Sequence, residues 1–426
     1  MTKLLYNIIF FSCLLRSQQS YEDFLLQQQQ GFDQYRQSIT NEYLAYEKAE
    51  KDAFDQFKKD VELQWNQFKG STSKTYVSYD DDLQSRASID YENGKLLVEV
   101  ILDKNIFESE EINHFDGGIL PPHRMGSRNP TIIGNYLSIM CSFVIPLLQN
   151  ADHVKQELAE NETRPLFQGL AKTKIIQKLV KVLAEKDDDG NVILDKQLAD
   201  INGNNINSNN VENFAERHLK KQLKTSKDYK AKNGKGKKLF TLSLNLKSDH
   251  LDSRIKKYGK EIIKQANRFN IDPAIALAIT ETESSFNPKA TSHIPAYGLM
   301  QLVPSSGARD AYRYVYKKDK VLKKGFLYKP KNNIELGCAY LAKIRYDYFK
   351  SVRDDNSAYM CTIAAYNTGI GNVAKALTGK GKIKPATTRA NQLNSNQVYN
   401  TLIRDLKYEE TRNYLKKVWA RKDKYL

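Results

Sequence analysis

From Tyr21 to Phe68 the chain carries Phe32, Tyr35, Ile39, Tyr43, Tyr46, Phe54, Phe57, Val61, Trp65 and Phe68 on a Gln-, Lys- and Glu-rich background without proline. Apolar residues three and four apart fall on one helical face, so the pattern predicts a long amphipathic helix over residues 18–72, in one piece or two. Such a helix serves as a coiled-coil stalk or membrane-surface element, or packs along the protein's own core. Aromatic seams lean towards the core, because tight coiled coils prefer aliphatic residues at their contact positions. The period then changes. Arg86 to Leu102 (RASIDYENGKLLVEVIL) alternates apolar and polar residues around Asn93-Gly94, which predicts a hairpin. A further strand is expected at Leu239 to Leu246, with helical material such as Lys172 to Glu185 between, so residues 73–247 read as an α+β domain. From Leu251 onward the period is helical again: Arg254 to Phe269, a helix opening at Asp272-Pro273 and running to about Phe286, Ile334 to Phe349, Ala358 to Tyr366 and Glu409 to Ala420. Residues 248–426 are therefore expected to be all-α, and the fold class α+β but predominantly helical.

Three short stretches refine this outline. Residues 1–17 hold Lys3 and the run LLYNIIFFSCLL, too short to span a bilayer and of the size of a signal-peptide core, so export is expected. Asn129 to Ala151 is a longer uncharged run, but Asn135, Pro146 and Gln149 make it a buried domain helix and not a span. Asp187-Asp188-Asp189-Gly190 starts like a calcium loop, yet Lys196 stands where a bidentate Glu is needed, so it reads as a turn. No internal repeat is read.

A formal charge of +16 and a pI near 9.3 imply an anionic partner without choosing among nucleic acid, membrane and acidic polymer. The Lys-rich stretch Lys227 to Lys238 mixes Lys with Gly and Asn, which suits a solvated loop; nucleic-acid binding is not expected. Cys13, Cys141, Cys338 and Cys361 show no paired spacing, so no metal and no cofactor are expected. Cys338 and Cys361 read as two buried thiols, a bond between them staying open in an oxidising compartment.

Candidate chemistry centres on the helix after Asp272-Pro273. Ala276, Ile279, Glu283 and Phe286 lie three or four apart, so one carboxylate interrupts an apolar stripe. A carboxyl held against apolar groups keeps its proton to higher pH, as a general acid must. Glu281 continues a second row through Leu277, and pattern alone does not separate the two glutamates. Tyr366-Asn367-Thr368-Gly369 predicts a helix stopped at a glycine, with a phenol and an amide at a cleft edge.

Glu-Ser-Ser-Phe (283–286), Ser292, Gly-Leu-Met-Gln (298–301) and Ala-Tyr-Asn (365–367) stand in an order that resembles the lytic transglycosylase family with the goose-type-lysozyme-like domain. The resemblance covers roughly Leu251 to Tyr425, and a weaker one before it points to the subfamily of membrane-bound lytic murein transglycosylase C. It implies a lysozyme-like catalytic domain that cleaves peptidoglycan glycan strands at the β-1,4 bond between N-acetylmuramic acid and N-acetylglucosamine without water, leaving a 1,6-anhydro end. It also implies that Glu283 is the single acid/base and Glu281 is not. By the same resemblance Ser292 contacts the acetamido group, Met300 walls the cleft, Gln301, Tyr366 and Asn367 bind the sugar, and Tyr414 hydrogen-bonds near Glu283. This chain has Asn367-Thr368-Gly369 where family members often have a Gly or Ala after the Asn, which bears on loop shape. Lipid anchoring is usual in the subfamily, so Cys13 is a candidate acylation site and the protein is expected in the periplasm, associated with the outer membrane. Phe10 and Phe11 depart from the usual residues before such a cysteine, and plain signal cleavage is the alternative. Rival functions are a lysozyme-type hydrolase and a non-catalytic glycan-binding scaffold.

Overall fold

The computed structural model describes residues 2–104, 154–215, 223–226, 229–293 and 295–426. The uncharged run Asn129 to Ala151 lies outside them. The expected long helix is a single element, α1 (Thr2–Gln64), longer at its start and shorter at its end than 18–72. Expectation and structure differ on what it packs against. Val61 and Trp65 have no exposed surface, whereas Tyr21, Phe24, Phe32 and Tyr35 each expose more than half of theirs, so only the end of the seam enters the protein's own core. The reason lies in a repeat that the pattern reading passed over. Tyr21, Phe32, Tyr43, Phe54 and Trp65 recur every eleven residues, as do Phe24, Tyr35, Tyr46, Phe57 and Phe68. Eleven residues close three turns, so the eight of these aromatics within α1 share one face, with Trp65 and Phe68 following just past its end, but periodicity names the face and not its cover.

Where α1 ends, the indole of Trp65 donates to the Leu83 carbonyl at 2.7 Å and carries the Arg86 guanidinium 3.9 Å above its ring. Arg86 in turn makes a bidentate pair with Glu99 at 2.8 and 3.1 Å, which Lys69 completes at 2.8 Å. Both carboxylate oxygens are therefore paired, which makes the burial of this ion cluster tolerable. In its last third α1 meets the C-terminal half: the Lys323 ammonium lies 5.2 Å from the Tyr46 ring, and Lys324 pairs with Glu50.

The sheet holds β1 (Thr75–Tyr79), β2 (Ser85–Asp90), β3 (Lys95–Asp103), β4 (Lys224–Thr225), β5 (Tyr229–Lys230) and β6 (Gly236–Asn245). All pairings are antiparallel, in the order β1-β2-β3-β6-β4, with β5 also on β6. The hairpin expected around Asn93-Gly94 is β2–β3. Gly94 takes φ 63°, and a Cβ there would stand 2.7 Å from the His250 ring, so the turn needs glycine twice over. Helix α2 (Val154–Ala184) covers the inner face, where Ile175, Leu179 and Val182 join one core with Leu96, Val98 and Leu242.

The C-terminal half is helical throughout: α3 (His250–Arg268), α4 (Pro273–Ser284), α5 (Gly307–Tyr316), α6 (Lys324–Leu327), α7 (Pro330–Lys343), α8 (Asp355–Thr368), α9 (Ile370–Thr378), α10 (Ile383–Ala390), α11 (Ser395–Asp405) and α12 (Glu409–Lys422). Its core runs from Ile262 through Ile279, Phe286 and Met300 to Ile363 and Val418. Cys338 and Cys361 are free and buried in it. Among the described residues no helix is long and apolar enough to cross a membrane.

The Asp187 turn joins the two halves. Asp187 closes the turn by accepting from the Asp189 and Asn191 amides at 3.0 and 2.9 Å, and it also takes the Tyr258 hydroxyl at 2.9 Å. Asp188 pairs with Lys289 at 2.7 Å, and Asp189 accepts from the Lys331 amide at 2.9 Å. All three carboxylates are committed to donors from the helical half.

Candidate active site

Helix α4 begins as its sequence dictates: Asp272 accepts from the Ala274 amide at 2.8 Å and Pro273 fills the first turn. It ends earlier than the expected Phe286. Ser285 and Phe286 adopt left-handed backbone conformations, φ 50° and 57°, so the chain turns sharply one residue after Ser284. Non-glycine residues hold such conformations only where their surroundings fix them. Here Phe286 is fully buried, the Arg254 guanidinium donates to the Ser285 carbonyl at 2.9 Å, and the Ser284 hydroxyl donates to the Leu299 carbonyl at 2.7 Å. Phe286 therefore leaves the stripe that the helical spacing assigned to it, and Glu283 stands in the last turn.

The two glutamates separate cleanly in space. Glu281 is buried; it accepts from the Tyr425 hydroxyl at 2.5 Å and pairs with Arg421 at 3.3 Å and Lys424 at 3.4 Å. Glu283 is half-buried and has, among the described residues, one hydrogen-bond partner: the Tyr414 hydroxyl, donating at 2.7 Å. Burial pushes its carboxyl up to about 7, against the opposing pull of the Tyr414 hydrogen bond and the Lys74 charge, while Glu410 adds a smaller push upward. Tyr414 is itself pushed well above the usual phenol range by burial and by the neighbouring Glu283, so it is a hydrogen donor at any working pH.

Above Glu283 lies the loop of residues 291–302, shaped by bridges from Tyr297 to Thr291 and to Leu302. Gly298 takes φ 76°, and a Cβ there would stand 2.5 Å from the Leu327 carbonyl. Buried Asn333 staples this loop: its carboxamide oxygen accepts from the Met300 amide at 2.7 Å and its nitrogen donates to the Tyr297 and Leu327 carbonyls, each at 2.8 Å. Met300 has no exposed surface, and its side chain lies against Gly337, where a Cβ would come within 2.2 Å of the sulfur. The Tyr366 hydroxyl donates to the Met300 carbonyl at 2.7 Å, and the Gln301 carboxamide to the Gly298 carbonyl at 3.0 Å. Asn367 accepts from the Thr411 hydroxyl at 2.7 Å, and the Ser292 amide donates to the Ala296 carbonyl at 3.1 Å. As expected, α8 stops at Gly369, with φ 84°.

The structure thus brings Glu283 and Tyr414 into direct contact and hangs Met300, Gln301 and Tyr366 on one loop-and-helix framework beside them. Three positioning groups were invisible to pattern reading. Ser284 and Asn333 act through buried side-chain hydrogen bonds to backbone atoms, which leave no periodic trace. Lys74 comes from the other half of the chain: its ammonium donates to the Glu281 and Thr282 carbonyls at 2.7 and 2.6 Å.

Residues 260–388, which contain Glu283, the loop above it and Tyr366-Asn367, match the Transglycosylase SLT domain family. The chain is an enzyme of the lytic transglycosylase kind. Residues 46–112, from the last third of α1 to beyond β3, match the N-terminal domain of membrane-bound lytic murein transglycosylase C. Two proteins of that name are similar over most of their length. The one from Haemophilus ducreyi is 28% identical, over 87% of this chain and 85% of its own, and the one from Salmonella arizonae 29%, over 81% and 80%. A solved structure, the 70 kDa soluble lytic transglycosylase of Escherichia coli, is 26% identical with a TM-score of 0.31. That match covers 42% of this chain and only 25% of the larger protein. Tyr414 lies beyond the matched residues, on α12.

Proposed function

We propose that the protein cleaves the β-1,4 bond between N-acetylmuramic acid and N-acetylglucosamine in peptidoglycan, leaving a 1,6-anhydro-muramyl end, with Glu283 as the sole acid and base. The observation that carries this reading is the Glu283 carboxyl, half-buried, raised to about 7, and held by a phenol instead of a cation. Such a group keeps its proton near neutral pH and can deliver it to the leaving glycosidic oxygen as the C1–O bond breaks. The carboxylate left behind then takes the proton of the muramyl C6 hydroxyl as that oxygen bonds to C1, which returns Glu283 to its starting form. No water is consumed. The C6 hydroxyl is tethered to the reacting ring, an advantage that free water lacks. Ser292, Gln301, Tyr366 and Asn367 would line the sugar subsites, and Met300, with no exposed surface, would back them from the core and not wall the cleft as the resemblance implies.

The nearest carboxylate in sequence, Glu281, is held by Arg421, Lys424 and Tyr425, which supports a one-acid mechanism. Glu410 favours the second reading, hydrolysis of lysozyme type: it is exposed, lies one turn before Tyr414 on α12, and is near enough to Glu283 to raise its pKa. An inverting hydrolase needs such a second group to activate water. Product analysis separates them. Muropeptides released from purified sacculi should be one water lighter than hydrolytic products and resist borohydride reduction; reducible muramic acid as the main product would move the protein to the hydrolases.

The protein's place, on this proposal, is the periplasm at the outer membrane, anchored through acylated Cys13. One acyl chain holds a protein to a membrane only marginally, so firm anchoring needs several chains or help from basic residues. The Cys13→Ala protein should leave the membrane fraction, and unchanged fractionation would remove the acylation.

A further inference from the structure

At the sharp exit from α4 the Ser285 amide still reaches the Glu281 carbonyl at 2.9 Å, but the last-turn carbonyls keep lone pairs for outside donors, as at every helix end. Two cations supply them. Arg254 takes the Ser285 carbonyl, and its remaining nitrogens reach Gln197 at 2.6 Å and the Tyr91 carbonyl at 2.9 Å, both in the sheet half. Lys74 takes the Glu281 and Thr282 carbonyls, the two residues before Glu283. Its position is not a matter of a loose side chain. The Lys74 carbonyl accepts from the Tyr91 amide at 2.9 Å, which continues the β1–β2 ladder by one rung. The preceding Thr72 carbonyl accepts from the Thr291 amide at 3.3 Å, at the foot of the loop above Glu283. Sheet register therefore decides where this ammonium stands relative to the acid.

We propose that Lys74 is a positioning residue for Glu283: by gripping the last turn of α4 from the sheet, it fixes the acid's place and sets its proton affinity, so that the N-terminal region is a working part of the active site. This rests on the reading of Glu283 as the acid. The groups facing Lys74 are Glu92 from the hairpin turn, Arg421 from α12, and Glu281 and Glu283 from α4; burial lowers its ammonium to about 8. Those facing Glu283 are Lys74, Tyr414 and Glu410, and Tyr366 lies close enough for Glu283 to raise its phenol. A positive charge beside a carboxyl favours the ionised form, so Lys74 holds Glu283 below the value that burial alone would give. A cation at the C-terminal end of a helix is also favourable in itself, through the partial negative charge of the free carbonyls.

Two variants of the full chain separate charge from grip. Lys74→Gln keeps an N–H donor for the carbonyls but carries no charge, while Lys74→Arg keeps both. Rates on sacculi are measured against pH, with substrate binding read separately and thermal unfolding as a check on folding. For Lys74→Gln the alkaline limb of kcat should move upward by about half a pH unit or more, with kcat at its optimum lower by about threefold to tenfold and KM little changed. Lys74→Arg should keep the limb at the wild-type position. If the limb stays in place for both variants, Lys74 is only a structural tie and the proposal fails, whatever happens to overall activity. Glu283→Gln is run beside them: full activity there would overturn the acid assignment itself, a failure distinct from an unmoved limb in an enzyme that does depend on Glu283.

Discussion

On one side of the last turn of α4, Glu281 meets Arg421, Lys424 and the Tyr425 hydroxyl at the C-terminal end of the chain. On the other, two residues later, Glu283 meets a single phenol. Both carboxylates are removed from bulk water, and both stand on the same short helix. Their partners decide what each can do. Ion pairs make Glu281 a clamp, whereas burial holds the proton on Glu283 and makes it an acid. The clamp also serves the acid, since Arg421 reaches back to the Thr282 hydroxyl at 2.9 Å and ties α12, with its Tyr414, to the same turn.

The largest break in this contrast comes from exchanging each carboxyl for its amide. Glu283→Gln should lower kcat by roughly 10²–10⁴-fold, the usual worth of a general acid, while glycan binding persists. Glu281→Gln should leave the chemistry within about tenfold of wild type but destabilise the fold by about 1–3 kcal/mol, because two cations lose their partner in a partly solvated site. Rates on sacculi and thermal unfolding of both variants check this. The opposite outcome, an active Glu283→Gln enzyme and an inactive but stable Glu281→Gln one, would exchange the two roles.

How much of this was legible beforehand follows the range of the interactions. The β2–β3 hairpin announced itself because Asn-Gly between alternating runs is a local signal, and α4 was readable from Asp272-Pro273. Strand β1 was not read: Thr75–Tyr79 is half-buried along its whole length, so no in-out alternation marks it. Helices α5, α9, α10 and α11 were passed over as well; they are short, and α9 and α10 lie close together in a Gly- and Lys-rich stretch. The end of α4 misled for a better reason. Ser285 and Phe286 leave the helix under tertiary constraint from Arg254 and Leu299, far away in sequence, and helical spacing cannot register a left-handed exit. The same applies to the site. Motif order singled out Glu283 over Glu281, but the reason for the difference, one phenol against two cations and a hydroxyl, depends on α12 and the C-terminal turn folding back over α4. Lys74 and Asn333 had no signal at all, being single polar residues whose partners are backbone atoms, all of those of Lys74 and two of the three of Asn333 lying more than thirty positions away.

The finest test of the contrast touches neither carboxyl. Tyr414 donates its only proton to Glu283, and a donor to a carboxylate stabilises the ionised form, so the bond pulls against the effect of burial. In Tyr414→Phe that pull is gone. Glu283 should then keep its proton to higher pH, and the alkaline limb of the rate profile, which in the wild type falls as pH rises through about 7, should move upward. The rate at the optimum should nevertheless drop, by about threefold to tenfold, because the carboxyl loses the one contact that orients it and the carboxylate formed after proton delivery loses its donor. A lower rate together with a higher limb is a combination that general loosening of α12 does not produce, since loosening would admit water and bring the carboxyl back towards its ordinary value. If Tyr414→Phe shifts the limb downward instead, the phenol serves mainly to exclude water from Glu283, and burial by Tyr414, not hydrogen bonding from it, is what distinguishes the acid from the clamp.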